Sequence, residues 1–429
     1  MLRNVDDALW SGALDHDPQA RAAILDTALV RGEGARVQDA RGRWYLDARS
    51  AMWNGTLGYS NTQVIDAMHR QLLALPVGQV IRYEQPPRVS LEYARELVLA
   101  LPGALSHVRF GSTGSQMTAS AVLLSRFVRK VLDEPQRTKV IAFHRSYHGT
   151  GAIAGHLSGE RQLHALQAPL GPDVHHARPW SMDALRTALD RHGPEHVTAV
   201  VVEPVMGTGV VPAPPGMLAE LRGLCDRHGL HLIADEITTG FGRTGHLSAT
   251  LAAGVEPDML VLGKGITSGY FPLAALVVRS ALFDQATSRP EYVFPDVSTA
   301  DGHPVAMAAG LAVLDQLSDG AIYENVRAVG ARLRARLAEL QASDPSIADV
   351  RGAGLMIGVE LRRDGQPLGA GEMRRVRLRA QEHRLLVTTT NNTVNLMPPL
   401  VLTDDEADEV ADRLAATLAD LWPALEAAR

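Results

Sequence analysis

Cysteine, lysine and long apolar runs are scarce in this chain, and each scarcity removes a class of protein. A single cysteine, Cys225, among 429 residues excludes an internal disulfide framework and a cysteine-rich metal site. Cys225 falls in the apolar stripe of residues 217–227, which marks a buried structural thiol rather than a nucleophile. No segment approaches the roughly 18 consecutive apolar residues of a membrane span. Asp6, Asp7, Asp15 and Asp17 break up the N-terminal stretch where a signal peptide would need an apolar run. No membrane partner is expected, and the cytoplasm is the expected compartment. A net charge of −6 and a pI near 6.2 lack the basic face of a nucleic-acid binder. Of the 42 lysines and arginines only Lys130, Lys139 and Lys264 are lysines, so chemistry that needs a lysine amine has three candidates.

What is present is an enzyme-sized globular composition, 46% hydrophobic and 21% charged. A single core stops growing at roughly 250–300 residues, so two or three structural units are expected. From about residue 105 to 280, short β-branched runs alternate with helical-period stretches. Strands are read at 107–111, 139–143, 197–203, 231–235, 258–262 and 273–278, with a helix at 115–132. That alternation implies an α/β fold with a mostly parallel sheet covered on both faces. Ligands of such sheets bind at the carboxyl ends of the strands. Beyond a Pro/Gly-punctuated stretch at 289–304 the pattern changes to α+β, with helices at 305–317, 323–341 and 403–421 and strands at 355–361 and 393–396. An N-terminal strand pair near 35–37 and 44–47 has no core of its own and is expected to pack on this second unit.

Several familiar motifs fail on context. Gly240-Phe-Gly-Arg-Thr-Gly245 fits G-x-G-x-x-G, but a dinucleotide fingerprint must join a strand directly to a long helix, and only a short helix at 248–254 fits here. His144/His148 and His192/His196 share H-x3-H spacing without the glutamate of H-E-x-x-H. The first pair falls in a loop and the second spans Gly193-Pro194, so neither presents two imidazoles on one helical face. His175-His176 read as a loop pair. No G-x-S-x-G elbow occurs, which leaves a serine hydrolase without a nucleophile.

Three features remain. Lys264 follows the apolar run 258–263 beside Gly263 and Gly265. A lysine at such a strand end either snorkels to solvent or carries a depressed pKa or an imine. Asp235 ends another apolar strand, where its carboxylate can pair with a protonated heteroaromatic nitrogen or cap the next turn. Gly114-Ser115 opens a helix directly after a strand, which suits a phosphate or a plain N-cap.

The blocks Thr113-Gly-Ser115, Ser146-Tyr-His-Gly149, Glu203-Pro204, Asp235-Glu-Ile-Thr-Thr-Gly-Phe-Gly-Arg-Thr-Gly245, Leu262-Gly-Lys264, Thr299 with Gly302-His-Pro304, Val350-Arg-Gly-Ala-Gly354 and Leu396-Met-Pro-Pro-Leu400 together resemble class III aminotransferases of the pyridoxal-phosphate fold type I family. The resemblance runs from about Arg31 to Trp422. It implies a large cofactor-binding unit at 51–295 with a mostly parallel, seven-stranded-type sheet. It also implies an α+β small unit at 296–429, with residues 1–50 packing on that unit. Lys264 would hold pyridoxal 5'-phosphate as an imine and later shuttle a proton. Asp235 would keep the ring nitrogen protonated. Tyr147 and Ile237 would cover the two ring faces. Gly114 and Ser115, with Ser298 and Thr299 from a partner subunit, would bind the phosphate, and Glu203 would stand beside the cofactor. A homodimer with shared active sites follows, with small amines and carbonyl compounds as substrates.

The departures concern the substrate. Thr238 stands where relatives often have glutamine. In overall look the chain is nearest to the diaminopelargonate and omega-aminotransferases, through 51–59 and Leu396-Met-Pro-Pro399. Yet Met52, Thr388 and Asn395 replace the tryptophan, arginine and tyrosine of the diaminopelargonate enzymes, and Trp53 lies alongside. Neither threonine nor asparagine replaces an arginine that pairs bidentately with a carboxylate. The expectation is transfer to a ketone or aldehyde without a carboxylate at that place, unless Arg31, Arg49 or Arg82 reaches the site. Thr118, Ser120 and the 306–310 run also resemble aminomutases, which keeps an isomerase, a mutase or epimerase on the same scaffold, as the alternative.

Overall fold

The computed structural model describes residues 27–81, 85–160 and 173–426, with residues 164, 165, 168 and 171. Three strands come first, β1 (Leu29–Glu33), β2 (Arg36–Asp39) and β3 (Trp44–Asp47), paired as an antiparallel meander. The principal sheet follows: β4 (Leu105–Gly111), β5 (Lys139–Phe143), β6 (Val174–Ala177), β7 (Val197–Val202), then, after a small ribbon of β8 (Val205–Met206) and β9 (Val211–Pro212), β10 (His231–Glu236), β11 (Met259–Leu262) and β12 (Ala274–Arg279). Its order is β4-β12-β11-β10-β7-β5-β6. Only β12 runs against its neighbours; the pairs among β11, β10, β7, β5 and β6 are parallel. Every residue of β7, β10 and β11 is buried, because helices cover both faces and their apolar runs need no polar alternation.

A second sheet carries β13 (Ile347–Ala353), β14 (Met356–Arg363), β17 (Thr388–Thr390) and β18 (Thr393–Leu396) in the order β13-β14-β18-β17, with β15 (Gln366–Pro367) beside β14. β16 (Leu385–Leu386) pairs in parallel with β3. Ala35, Leu46 and Ala48 share one core with Val326, Leu333, Val359 and Leu414, so the N-terminal meander packs where the sequence predicts. The helix Asp404–Glu426 closes this layer.

Three differences from the sequence reading have local causes. His175 and His176 lie in β6, not in a loop. This edge strand is only four residues long, has one fully buried member, and forms because β5 offers a free edge. β1 was not anticipated, since it is mostly exposed and rich in charge. β13 was not anticipated either, since its Arg-Gly-Ala end lacks a strand's apolar alternation. Cys225 is fully buried among Leu221, Leu224 and Leu232, and burial pushes its thiol up to about 12.

Candidate active site

Parallel pairing of β10 with β11 sets Asp235 beside Val261 and Glu236 beside Leu262, so Asp235 and Lys264 emerge at the same carboxyl edge of the sheet. Gly263 is extended, and its β-carbon would press Ile237 at 3.2 Å. Lys264 turns into the left-handed region at φ 42°, a conformation that costs a non-glycine residue roughly 1 kcal/mol. Its Nζ donates to Thr238 Oγ1 at 2.6 Å and lies 4.8 Å from the centre of the Trp53 ring. Burial brings the Lys264 amine down to about 8, opposed by Asp235 and Glu203 and assisted by the Arg243 cation.

Asp235 is 3% exposed. One carboxylate oxygen is 2.7 Å from His148 Nδ1, and the other accepts the Ile237 N–H at 3.1 Å. Burial alone would lower the His148 imidazole, but its bond to Asp235 and the charges of Asp235 and Glu203 raise it above the ordinary histidine value. His148 Nε2 is buried without a partner among the described residues. Glu203 accepts N–H bonds from Tyr147 and Gly207, both at 2.9 Å. Burial raises its carboxyl to about 7, His148 pulling down and Asp235 pushing up.

The residues fit pyridoxal phosphate. The helix Gly114–Val131 starts on a Thr113 cap that accepts the Gln116 N–H, leaving the N–H groups of its first turn aimed at the strand ends. Ser115 Oγ accepts the Thr150 N–H at 3.1 Å. Added β-carbons would meet Ser115 Oγ at 2.3 Å from Gly149 and Ile237 Cδ1 at 2.6 Å from Gly114, so the cup is closed to any side chain there. Ile237 therefore sits between the Gly114 and Gly263 turns. Tyr147, 40% exposed, follows from its backbone bond to Glu203. Ser298 and Thr299 are not beside Lys264. Ser298 N–H donates to Asp301, whose other oxygen accepts from Gln116 on the Gly114 helix, and Thr299 is exposed.

The substrate wall is neutral. Trp53 Nε1 donates to Thr388 Oγ1 at 3.0 Å. A β-carbon on Gly207 would meet Trp53 at 3.3 Å, Glu203 at 3.4 Å and Thr238 at 3.9 Å, which brings those three around one glycine. Thr388 lies opposite Asn395 in the β17–β18 pair. Asn395 is fully buried and bonds Thr390 at 2.9 Å, and Thr390 accepts the Gly209 N–H at 2.7 Å. Met52 is 62% exposed and is not gathered with the others. Arg31 pairs with Glu33 and lies over Trp44, and Arg49 pairs with Asp47, so neither supplies the missing arginine; Arg82 lies outside the described residues. The Gly240–Gly245 segment is a run of turns that buries Arg243 against the Leu355 and Pro398 carbonyls and Ser50 Oγ.

Sequence reasoning gave no role to His148, although the Ser146–Gly149 block contains it, and missed the Thr238 hydroxyl as the partner of the lysine. The spacing of His148 from Asp235 is visible only once β5 and β10 are in one sheet.

The aminotransferase class-III family model matches residues 18–418. A probable aminotransferase of Mycobacterium tuberculosis is 32% identical, covering 94% of this chain and 92% of its own. The adenosylmethionine-8-amino-7-oxononanoate aminotransferase of Nitratidesulfovibrio vulgaris is 33% identical over 90% of this chain and 75% of its own. Among solved structures, an amine transaminase of an uncultivated Pseudomonas species in its PLP-bound form superposes with a TM-score of 0.92 at 31% identity, covering 96% of this chain and 98% of that one. Nothing in these likenesses favours the isomerase alternative. Among the described residues no single helix is long and apolar enough to cross a membrane. By its sequence and its fold alike, the chain belongs to the class III aminotransferases, pyridoxal-phosphate enzymes of fold type I that transfer amino groups.

Proposed function

We propose that this aminotransferase moves an amino group from a small amine to a ketone or aldehyde that bears no carboxylate at the place where an arginine would read it. The observation that carries this reading is the convergence of a single lysine amine and a histidine-backed aspartate beside a glycine-lined helix start, facing a wall of the neutral residues Trp53, Thr388 and Asn395. Bound pyridoxal phosphate supplies the electron sink.

Lys264 binds the cofactor and moves a proton at the reacting carbon; its lowered pKa leaves the amine partly unprotonated near neutral pH. Thr238 Oγ1 holds that amine when it is released. Asp235 holds the proton on the ring nitrogen, and His148 orients the carboxylate. Tyr147 and Ile237 confine the ring, and the Gly114 and Ser115 backbone with the Ser115 hydroxyl receives the phosphate. Glu203, fixed by two N–H groups, braces Tyr147 against the wall. The division at 51–295 and 296–429, with residues 1–50 on the smaller unit, is part of this reading, supported by the separate cores. A cytoplasmic setting also belongs to it.

A homodimer with shared sites is part of the same proposal. Supporting it, Leu73, Val77, Leu99 and Val293 are 77%, 72%, 71% and 79% exposed, apolar side chains that a second copy would cover. Ser298 and Thr299 would then act across the interface. Sedimentation should show a dimer that Leu73→Asp dissociates with loss of cofactor; a cofactor-loaded monomer of the native chain would overturn this.

The transfer itself is tested by following the cofactor spectrum during titration with amines. A donor should convert it to the aminated form and release its carbonyl product, and an uncharged ketone should reverse the change. A spectrum that returns unaided, with an isomerised product, would overturn the reading.

A further inference from the structure

The turn that carries Trp53 is strained. Ser50, Ala51 and Trp53 all stand in the left-handed half of backbone space, at φ 42°, 60° and 67°, which glycine takes freely and other residues avoid. Ala51, with ψ −95°, falls near the geometry of the rare γ-turn. Such a run of non-glycine residues persists only where its surroundings impose it. The Trp53 ring rests against Val205, Val210, Met356 and Met397, but the backbone that presents it lacks apolar support, because Ala51 and Met52 are exposed. Hydrogen bonds must hold it.

Asp47 is where those bonds converge. It ends β3, its own N–H donates to Ala35 across the meander, and its side chain is fully buried. One carboxylate oxygen accepts the Arg49 N–H at 3.1 Å and Arg49 Nε at 3.2 Å. The other accepts the Ala51 N–H at 2.9 Å and the Tyr59 hydroxyl at 2.5 Å. Between the two tied N–H groups, Ser50 Oγ donates to the Met397 carbonyl at 2.6 Å and accepts from Arg243 at 3.2 Å. The Arg49 carbonyl then takes the Trp53 N–H at 2.9 Å. The ring so presented lies 4.8 Å from Lys264 Nζ and bonds Thr388.

We propose that Asp47 is a positioning residue for the transfer: by tying down this strained turn it holds the Trp53 ring over Lys264, and so limits the bulk of the group that enters beside the reacting amine. This rests on the transfer reading above. An amide matches the carboxylate in size but cannot replace it, because asparagine has one acceptor oxygen and its NH2 would face donors. Asp47→Asn therefore unties one side of the turn, and the backbone relaxes with the ring on it. Glycine at 51 removes much of the strain that drives this relaxation, so Ala51→Gly should return the ring to its place. A residue that only stabilised the fold would show no such rescue of selectivity.

The experiment compares kcat/KM for butan-2-amine and heptan-4-amine, which differ only in the bulk beside the reacting carbon. The native holoenzyme should favour the smaller amine by about tenfold or more, since one methylene too many in a filled pocket is worth about that much. In Asp47→Asn the preference should fall at least about fivefold, and Asp47→Asn/Ala51→Gly should recover most of it. Ala51→Gly alone should keep the native preference. Tyr59→Phe, which leaves the carboxylate and removes one bond to it, should lower the preference about twofold, and it decides the matter if the asparagine variant does not fold. A native enzyme indifferent to the two amines, a preference that survives in the folded Asp47→Asn, or a loss that glycine does not restore would overturn the proposal.

Fluorine NMR of the 5-fluorotryptophan-labelled holoenzyme reads the ring without turnover. Of the five tryptophans, the Trp53 resonance is the one absent from Trp53→Phe. It should shift or split in Asp47→Asn and return with Ala51→Gly, while the other resonances stay in place. A Trp53 resonance that does not move overturns the proposal whatever the kinetics show. An enzyme inert toward every amine sinks the transfer reading instead, and the role of Asp47 then stands or falls on that resonance.

Discussion

His148 Nδ1 and Asp235 Oδ2 are 2.7 Å apart, with both side chains withdrawn from solvent. Because the folded imidazole titrates above its ordinary value of 6.5, its contribution to stability is whole below that value and is lost as pH rises through the folded pKa. His148→Asn should therefore lower the melting temperature most near about pH 6 and progressively less toward about pH 9. Thermal unfolding of native and variant apoprotein across that range checks this; a deficit that widens with pH would refute it.

Glu203 slopes the same way with pH, but as an ionisation that the fold resists. Its carboxyl is raised from 4.5 to about 7, so between those values the unfolded chain gives up its proton first and stability falls as pH rises, levelling off above about 7. Glu203→Gln removes that dependence. Relative to the native protein the variant should gain up to about 3 kcal/mol between pH 5 and pH 8, less whatever the second N–H bond contributes. Denaturant melts at the two pH values measure it, and an offset independent of pH would count against it.

Borohydride reduction followed by peptide mass analysis should place the cofactor on Lys264. Lys264→Ala should still retain cofactor through the phosphate cup but yield no reducible linkage. Labelling of Lys130 or Lys139 instead would overturn the assignment.

An arginine introduced at Thr388 should improve single-turnover use of 2-oxoglutarate by at least about tenfold relative to a matched uncharged ketone, since that side chain is only partly buried and faces Trp53. The same change at Asn395 should destabilise the fold instead, because that position is fully enclosed and a larger charged group overpacks it. Efficient use of 2-oxoglutarate by the native enzyme, equal to that of the ketone, would refute the neutral-wall argument.

The strands of the principal sheet were legible because β7, β10 and β11 are buried on both faces and read as unbroken apolar runs. The short, polar β6 was not, since its two histidines become a strand only by pairing with β5. Lys264 and Asp235 stood out for the same reason as the strands they end: each is a charge at the close of an apolar run. The wall was legible as a substitution at 388 and 395 but not as a shape, because the difference between an accessible Thr388 and an enclosed Asn395 is set by the β17–β18 pairing.

The reacting pair and the substrate wall belong to different sheets. Asp235 and Lys264 leave neighbouring strands of the principal sheet, whereas Thr388, Thr390 and Asn395 come from the β17–β18 pair of the other. The distance between aspartate and lysine is thus set by a backbone ladder that substitutions in the β17–β18 pair do not enter. Mutational drift or laboratory selection can rewrite the hairpin, and with it the preferred substrate, while the proton chemistry is inherited unchanged, which makes this enzyme a scaffold whose selectivity and reactivity can evolve separately.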